Sequence, residues 1–571
     1  MIEISYYKHN NHSLFEQFSH LEENKILHTQ NYIPLYTKFF SITKKNWNSF
    51  NLNHTFHITS IQEQQDKNHF MIEVENYKTK DKETKDAFFK FSPILDPIKY
   101  IGGKYHNIER EILYTLPEFN NPSVFEKYAD PNNVAYVDSF FSFLSSQLKD
   151  MYHFDHGISF YGSFLGIQNK FHYDISDDIE YLENSKFFHE HKGGLFDLDL
   201  NYYQNMDHFR TMKYKEKLHI HNTAKISCMD PTEDISLNML FQETKSKTFK
   251  NETLKTYYRN DTQCSRESMT STTSSCSSKD SETSCSSQEE EDGDEDHTSQ
   301  LSELTQEDDV ESEYEEYDTE ITATIHKFPV QIICIEKLSN TLDHHIKEHN
   351  YTIPLEEWKS ILCQILMILL TYQKCFDFTH NDLHSNNIMY EETTKTHLYY
   401  RYNGIFYSVP TFGKIYKIID FGRSIYKYKN VQICSDNYKK GEDAHTQYNF
   451  GVYYNKNKPV IEPNKAFDLC RLGCSLIDYF IEDYTEIDNV ERNEIVDLVL
   501  DWCNDDKGRN ILYKRNGEER FAGFKLYKMI ARITHHQTPQ HEIGKEVFKE
   551  YRRENIDQPY MDIDGMKVQY G

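Results

Sequence analysis

The sequence has no apolar run long enough to cross a lipid bilayer. Its longest run, Ile361 to Leu370, covers ten residues, whereas a membrane-spanning helix needs about 20. The amino terminus also lacks the basic and then apolar segments of a secretory signal. We therefore expect an intracellular, non-secreted protein that does not bind a membrane.

Paired cysteines and an excess of basic charge are missing as well. The eleven cysteines include no C-x-x-C pair, which is typical of free thiols in a reducing compartment and argues against a zinc site. The formal net charge is −28, and a chain without a basic face is not a general nucleic-acid binder. We therefore expect no nucleic-acid partner.

The acidic charge is concentrated in one low-complexity stretch. Residues 280–320 contain 19 Asp and Glu and no Lys or Arg, so they account for 19 of the 28 net negative charges. A segment this poor in apolar residues cannot offset the entropy that it would lose on ordering. We expect a largely disordered, acidic and Ser/Thr-rich insertion over residues 231–320, with folded regions on either side.

The folded regions contain both strand and helix patterns. Before the insertion, three strand-like segments lie within residues 56–94, and a helical pattern follows from Asp130 to Met151. After the insertion come a buried strand ending at Leu338, a long apolar helix from Leu355 and a hairpin with Asn403-Gly404 at its turn. This order predicts an α+β fold.

Three polar residues stand at the ends of buried segments in the second folded region. Asp382 and Asn387 lie on a loop after the long apolar helix, and Asp420 ends an apolar strand. Phosphoryl transfer needs a carboxylate that orients the attacking hydroxyl and accepts its proton, and oxygen ligands that hold Mg²⁺ against the phosphates. Asp382 suits the first role, and Asn387 with Asp420 suits the second.

The sequence around these residues closely resembles two motifs of the protein kinases. His380, Asp382 and Asn387 match the catalytic loop H-R-D-x-x-x-x-N, and Asp420 to Gly422 match the metal loop D-F-G. The resemblance implies a two-lobed kinase fold that uses ATP and Mg²⁺. It also implies that His380 and Asp382 belong to the catalytic loop, that Asn387 and Asp420 bind the metal, and that Gly422 lies beside the cofactor.

Further positions extend the resemblance. His384 makes the motif H-x-D-x-H, which is similar to haspin-like kinases and to aminoglycoside and choline phosphotransferases, and it could contact the γ-phosphate. Asp468 resembles the helix carboxylate that braces the kinase catalytic loop. Glu336 and Leu338 lie where the backbone of the kinase hinge would contact adenine.

The phosphate-binding elements match the kinase pattern only in part. Lys90 is the candidate for the strand lysine that pairs with the α- and β-phosphates, and either Glu111 or Asp138 could be its acidic partner. No G-x-G-x-x-G motif is present. The connection between the first two predicted strands has no glycine, and Gly102-Gly103 come after the strands. How the phosphates are held is therefore open.

As a whole, the chain resembles the kinase-like proteins of large nucleocytoplasmic DNA viruses, which would place it in the host-cell cytoplasm or the virion. The resemblance implies an N-terminal extension over residues 1–33 and a five-stranded N-lobe within residues 34–338, interrupted by the insertion. A helical C-lobe would cover residues 339–571. Three functions are compatible with these features: a serine/threonine protein kinase acting on a protein hydroxyl, a small-molecule phosphotransferase, or a pseudokinase scaffold.

Overall fold

The computed structural model describes residues 2–22, 24–121, 123–204 and 320–571. The insertion predicted over residues 231–320 lies outside these ranges except for its last position. The described chain has a mixed α+β architecture, so the predicted fold class is confirmed at that level. None of its helices combines the length and apolarity that a membrane crossing requires.

The described residues contain 18 strands and 14 α-helices. The strands are β1 (Tyr6–Lys8), β2 (Ile26–Gln30), β3 (Phe50–Leu52), β4 (Phe56–Gln64), β5 (His69–Asn76), β6 (Lys82–Pro93), β7 (Phe160–Asp174), β8 (Phe196–Leu198), β9 (Thr322–Glu336), β10 (Asn340–Thr341), β11 (Ile388–Glu392), β12 (His397–Tyr402), β13 (Ile405–Pro410), β14 (Lys414–Ile418), β15 (Ile425–Tyr428), β16 (Val431–Cys434), β17 (Arg552–Arg553) and β18 (Met561–Asp562). The α-helices are α1 (His12–His20), α2 (Pro97–Ile101), α3 (Arg110–Leu113), α4 (Glu126–Ala129), α5 (Val134–Tyr152), α6 (Ile179–Glu183), α7 (Lys186–His191), α8 (Leu200–Gln204), α9 (Leu342–Glu348), α10 (Leu355–Phe376), α11 (Phe467–Phe480), α12 (Glu494–Trp502), α13 (Phe524–Ile533) and α14 (Pro539–Glu542).

A curled antiparallel sheet of seven strands dominates the first part of the chain. Six strands follow the order β2-β7-β9-β6-β5-β4, and β8 also pairs with β9. The kinase resemblance implied five strands. The two additional ones are β8 and β2, and β2 comes from the stretch predicted as an N-terminal extension. In the register of β6 and β9, Lys90 lies opposite Ile333 and Ala87 lies opposite Glu336.

Helix α5 packs between this sheet and the loops that follow α10. Its aromatic residue Phe141 contacts Phe378 and Phe421, with ring centroids 4.5 and 4.6 Å apart. The sequence pattern predicted a helix start at Asp130, but the helix begins four residues later. The side chain of Asn133 accepts the N–H of Ala135 at 3.1 Å and thereby caps the first turn.

Helix α10 is buried along nearly its whole length, as its continuous apolar sequence predicts. Asp377 ends it in a left-handed conformation (φ 51°), and the chain then enters the loop that contains Asp382. Farther on, Asn403 and Gly404 both have positive φ, 51° and 73°. These angles form the tight turn between β12 and β13 that an Asn-Gly pair favours.

Candidate active site

The loop after α10 is held by a buried carboxylate at the start of α11. The two oxygens of Asp468 accept the N–H groups of His380 and Asn381, each at 2.9 Å. Asn381 has a left-handed backbone (φ 66°), which costs an L-residue about 1–2 kcal/mol, and these bonds stabilise it. The kinase resemblance assigned a bracing role to Asp468, and the structure places its carboxylate against this loop.

The ring of His380 connects the loop to the segment that precedes Asp420. Its Nε2 donates to the carbonyl oxygen of Ile419 at 2.9 Å, and its Nδ1 accepts the N–H of Asp382 at 3.3 Å. Because both ring nitrogens are engaged, the imidazole is fixed in one tautomer. In this structure His380 shapes the backbone around Asp382.

Asp382 is the carboxylate that the motif predicts as the general base. The hydroxyl of Tyr527 donates to its Oδ1 at 2.8 Å, and Nε of Arg423 lies 3.9 Å from its Oδ2. Burial alone would raise the pKa of Asp382, but the positive charge of Arg423 and neighbouring groups outweighs burial and holds this pKa below its ordinary value. At neutral pH Asp382 is therefore ionised and able to accept a proton.

Asn387 is oriented by the contacts of its amide nitrogen. Nδ2 donates to the carbonyl oxygen of Asp382 at 2.9 Å and lies 3.1 Å from Nε2 of His384. Since both donors are used, Oδ1 is the atom of Asn387 that is suited to bind a cation. Burial lowers the pKa of His384 to about 4, so this histidine is neutral at pH 7 and its Nε2 acts as the acceptor.

Lys90 lies between two carboxylates. Its Nζ is 2.7 Å from Oδ2 of Asp138 and 2.8 Å from Oδ1 of Asp420. The other oxygen of Asp138 accepts the N–H of Phe421 at 2.9 Å. Helix α5, strand β6 and the segment after β14 therefore meet at one cluster. Of the two acids that the sequence left as candidates, Asp138 contacts Lys90, whereas Glu111 is exposed on α3.

The two acids around Lys90 have different surroundings. Asp138 is only 3% exposed, and burial raises its pKa despite the adjacent Lys90. The side chain of Asp420 is 47% exposed. Its partial burial opposes ionisation, but Lys90 outweighs this effect and holds the pKa of Asp420 at about 2. Asp420 therefore presents an ionised carboxylate to the open side of the cluster, as a Mg²⁺ ligand must.

Gly422 allows the segment after Asp420 to lie directly against α5. A Cβ at this position would be 2.9 Å from Cγ2 of Val134, which is closer than carbon atoms pack. The kinase resemblance implied that Gly422 lies beside the cofactor. Its immediate neighbour in this structure is the first residue of α5, so a larger side chain would push this segment away from the helix that carries Asp138.

At the end of β9, the side chain of Glu336 belongs to an ion cluster. It lies 2.5 Å from Nζ of Lys417 and 2.9 Å from Nζ of Lys149, and it accepts the N–H of Ser159 at 2.9 Å. Burial opposes the charge, but the two lysines hold the pKa of Glu336 at about 2. The backbone N–H and C=O of Leu338 make no hydrogen bond to the residues that the structure describes, which suits the adenine contact predicted there.

The turn between β4 and β5 takes the place where a glycine-rich loop would stand. Oδ1 of Asp66 accepts the N–H groups of Asn68 and His69, both at 2.8 Å. The side-chain amide of Asn68 donates to the carbonyl oxygen of Phe89 at 2.8 Å, which ties the turn to β6 beside Lys90. The N–H groups of Asn68 and His69 are thus used within the protein and are not free to bind phosphate.

Sequence reasoning missed two residues beside Asp382. Arg423 directly follows D-F-G, and that adjacency was the available signal. The carbonyl oxygen of Arg423 accepts the side-chain amide of Asn381 at 3.1 Å, so Arg423 lies beside the loop position where ordinary kinases carry their own arginine. Tyr527 gave no signal, because it lies on α13, 145 residues after Asp382.

The chain matches no protein-family model. Over 116 residues, or 19% of its length, it is 32% identical to a probable serine/threonine-protein kinase of Dictyostelium discoideum. The matched segment spans only 9% of that protein. This partial similarity relates the chain to a kinase and supports no narrower class.

Proposed function

We propose that this protein is an ATP- and Mg²⁺-dependent phosphotransferase with a two-lobed kinase fold, acting on serine or threonine hydroxyls of a protein. The seven-stranded sheet with α5 would be the N-lobe, and the region from residue 339 onward would be the C-lobe. The observation that carries the proposal is the Lys90 cluster. In this cluster Nζ of Lys90 contacts both Asp420 and Asp138 of α5, two acids that are far apart in the sequence.

The chain's own groups fit each part of phosphoryl transfer. The exposed carboxylate of Asp420 and Oδ1 of Asn387 would hold Mg²⁺, which when bound neutralises charge on the phosphates. Lys90 would pair with the α- and β-phosphates. Asp382 would orient the acceptor hydroxyl and receive its proton. Because Asp66 uses the N–H groups of Asn68 and His69 in the β4–β5 turn, lysine and metal rather than backbone amides would supply most of the phosphate binding.

Two observations bear on the acceptor. The Dictyostelium protein that the chain partly matches is described as a probable serine/threonine-protein kinase, which favours a protein acceptor. The H-x-D-x-H sequence ending at His384 favours an atypical kinase, haspin-like or viral, and also leaves a small-molecule phosphotransferase as the second candidate. A scaffold would have no need of Asp382, Asn387 and Asp420 together.

A transfer assay separates these functions. We expect the purified chain with radiolabelled ATP and Mg²⁺ to label a mixture of casein, histone and myelin basic protein on serine or threonine. Choline and an aminoglycoside are offered in parallel, and a reaction without the protein gives the background. Label in choline or the aminoglycoside alone would show that the protein is a small-molecule phosphotransferase. No transfer above background to any acceptor would contradict the proposed function and favour a scaffold.

A matched pair of variants tests the partner of Lys90. Asp138→Asn is expected to lower kcat/KM for ATP by about 10- to 100-fold, because it removes a charge-assisted hydrogen bond that orients Lys90. Glu111→Gln removes a carboxylate that is exposed on α3 and should leave kcat/KM unchanged. Initial rates at varied ATP measure both. Equal losses in the two variants, or a loss in Glu111→Gln alone, would contradict the pairing.

A further inference from the structure

The catalytic carboxylate proposed above is tied to the distant helix α13. The hydroxyl of Tyr527 donates to Oδ1 of Asp382 at 2.8 Å, and the same hydroxyl accepts a hydrogen bond from Nε of Arg471 at 3.0 Å. Tyr527 is 4% exposed and Arg471 is 1% exposed. A buried arginine on α11, a buried tyrosine on α13 and the loop aspartate thus form one chain of hydrogen bonds.

The ring of Tyr527 is packed against two arginines and a second aromatic ring. The guanidinium carbons of Arg471 and Arg423 lie 5.3 and 5.5 Å from the centre of the Tyr527 ring, and the ring of Phe524 stacks on it at 5.2 Å. Cations over an aromatic face stabilise its position. The ring is therefore part of the packed interior, which distinguishes it from a lid that could swing away from Asp382.

The hydrogen bond distinguishes the two oxygens of Asp382. Oδ1 is engaged by Tyr527. Oδ2 is 3.9 Å from Nε of Arg423, which is beyond hydrogen-bonding distance. One oxygen is thus anchored, and the other keeps its lone pairs for an incoming hydroxyl.

We propose that Tyr527 is a positioning residue that holds the Asp382 carboxylate so that Oδ2 faces the acceptor hydroxyl. This inference rests on the phosphotransferase function proposed above. In the step that it serves, the acceptor O–H bond breaks and its proton passes to Oδ2. The acceptor oxygen forms a bond to the γ-phosphorus, and the bond from that phosphorus to ADP breaks. A carboxylate free to rotate would reach this geometry less often.

The test compares Tyr527→Phe with wild type on the acceptor that wild type labels in the transfer assay. Phenylalanine keeps the aromatic ring and removes one hydroxyl. We expect kcat to fall about tenfold with KM for ATP unchanged, because one hydrogen bond to a charged group is lost. Melting temperatures of both proteins are recorded as a measure of folding.

Tyr513→Phe is the matched control. The Tyr513 hydroxyl donates to Oδ1 of Asp478 at 2.8 Å, a similar Tyr–Asp bond outside the proposed site, and its loss should leave kcat unchanged. An active wild type with an unchanged or faster Tyr527→Phe variant would overturn this inference alone. A wild type without transfer would overturn the proposed function and this inference with it.

Discussion

Asp382→Asn is expected to lower the rate of phosphoryl transfer by about 10²-fold or more, because it removes the group that accepts the hydroxyl proton. The amide has nearly the shape of the carboxylate, and its oxygen can still accept the hydrogen bond from Tyr527. Binding of ATP with Mg²⁺ should therefore persist. Single-turnover rates measure the first effect, and titration with a fluorescent ATP analogue measures the second.

Asp478→Asn serves as the control for this prediction. Asp478 is an exposed carboxylate of α11 that accepts the Tyr513 hydroxyl, and its replacement should leave the transfer rate unchanged. If Asp382→Asn kept the full transfer rate, Asp382 would not be the general base. If Asp382→Asn lost nucleotide binding as well, the fall in rate would reflect damage to the nucleotide site and would not test the role of Asp382 as the base.

Asp420→Asn is expected to abolish the magnesium-dependent part of ATP binding. Asp420 is the ionised, open carboxylate of the Lys90 cluster, with a pKa of about 2, and a neutral amide is a much weaker ligand for Mg²⁺. In wild type, ATP with Mg²⁺ at 100 times its Kd should stabilise the fold by about 2.7 kcal/mol, which raises Tm by roughly 2–3 °C for a chain of this size. The variant should show no such magnesium-dependent rise.

Thermal melts with ATP alone, with Mg²⁺ alone and with both test this expectation. Asp478→Asn should behave as wild type in each. If Tm of Asp420→Asn still rose with magnesium in the presence of ATP, Asp420 would not be a metal ligand. No rise in wild type under any condition would contradict a nucleotide site, and the glycine-free β4–β5 turn would be the structural reason.

The sequence alone predicted the elements whose signals are local. Strands β4, β5 and β6, the buried helix α10 and the Asn403-Gly404 hairpin all follow from periodicity or turn chemistry over fewer than about 25 residues. The mixed α+β class follows from them. The same locality explains why Asp382, Asn387 and Asp420 could be named as candidates, since each belongs to a short motif at the end of a buried segment.

Other features depended on contacts between distant parts of the chain. The sequence could not decide between Glu111 and Asp138, because the choice depends on which helix packs under β6. It also implied five strands where seven form, since β2 and β8 are short and join the sheet only through distant partners.

The candidate residues for phosphoryl transfer could thus be named from the sequence, whereas the contacts around them could not. Residue types at fixed spacing determine which groups are present, since a motif needs only its own few positions. Tertiary structure decided that Tyr527 engages Asp382 and that Asp138, not Glu111, contacts Lys90. The physical reason is that hydrogen bonds and burial act through space, so a side chain 145 residues away can donate a hydrogen bond to the carboxylate of Asp382.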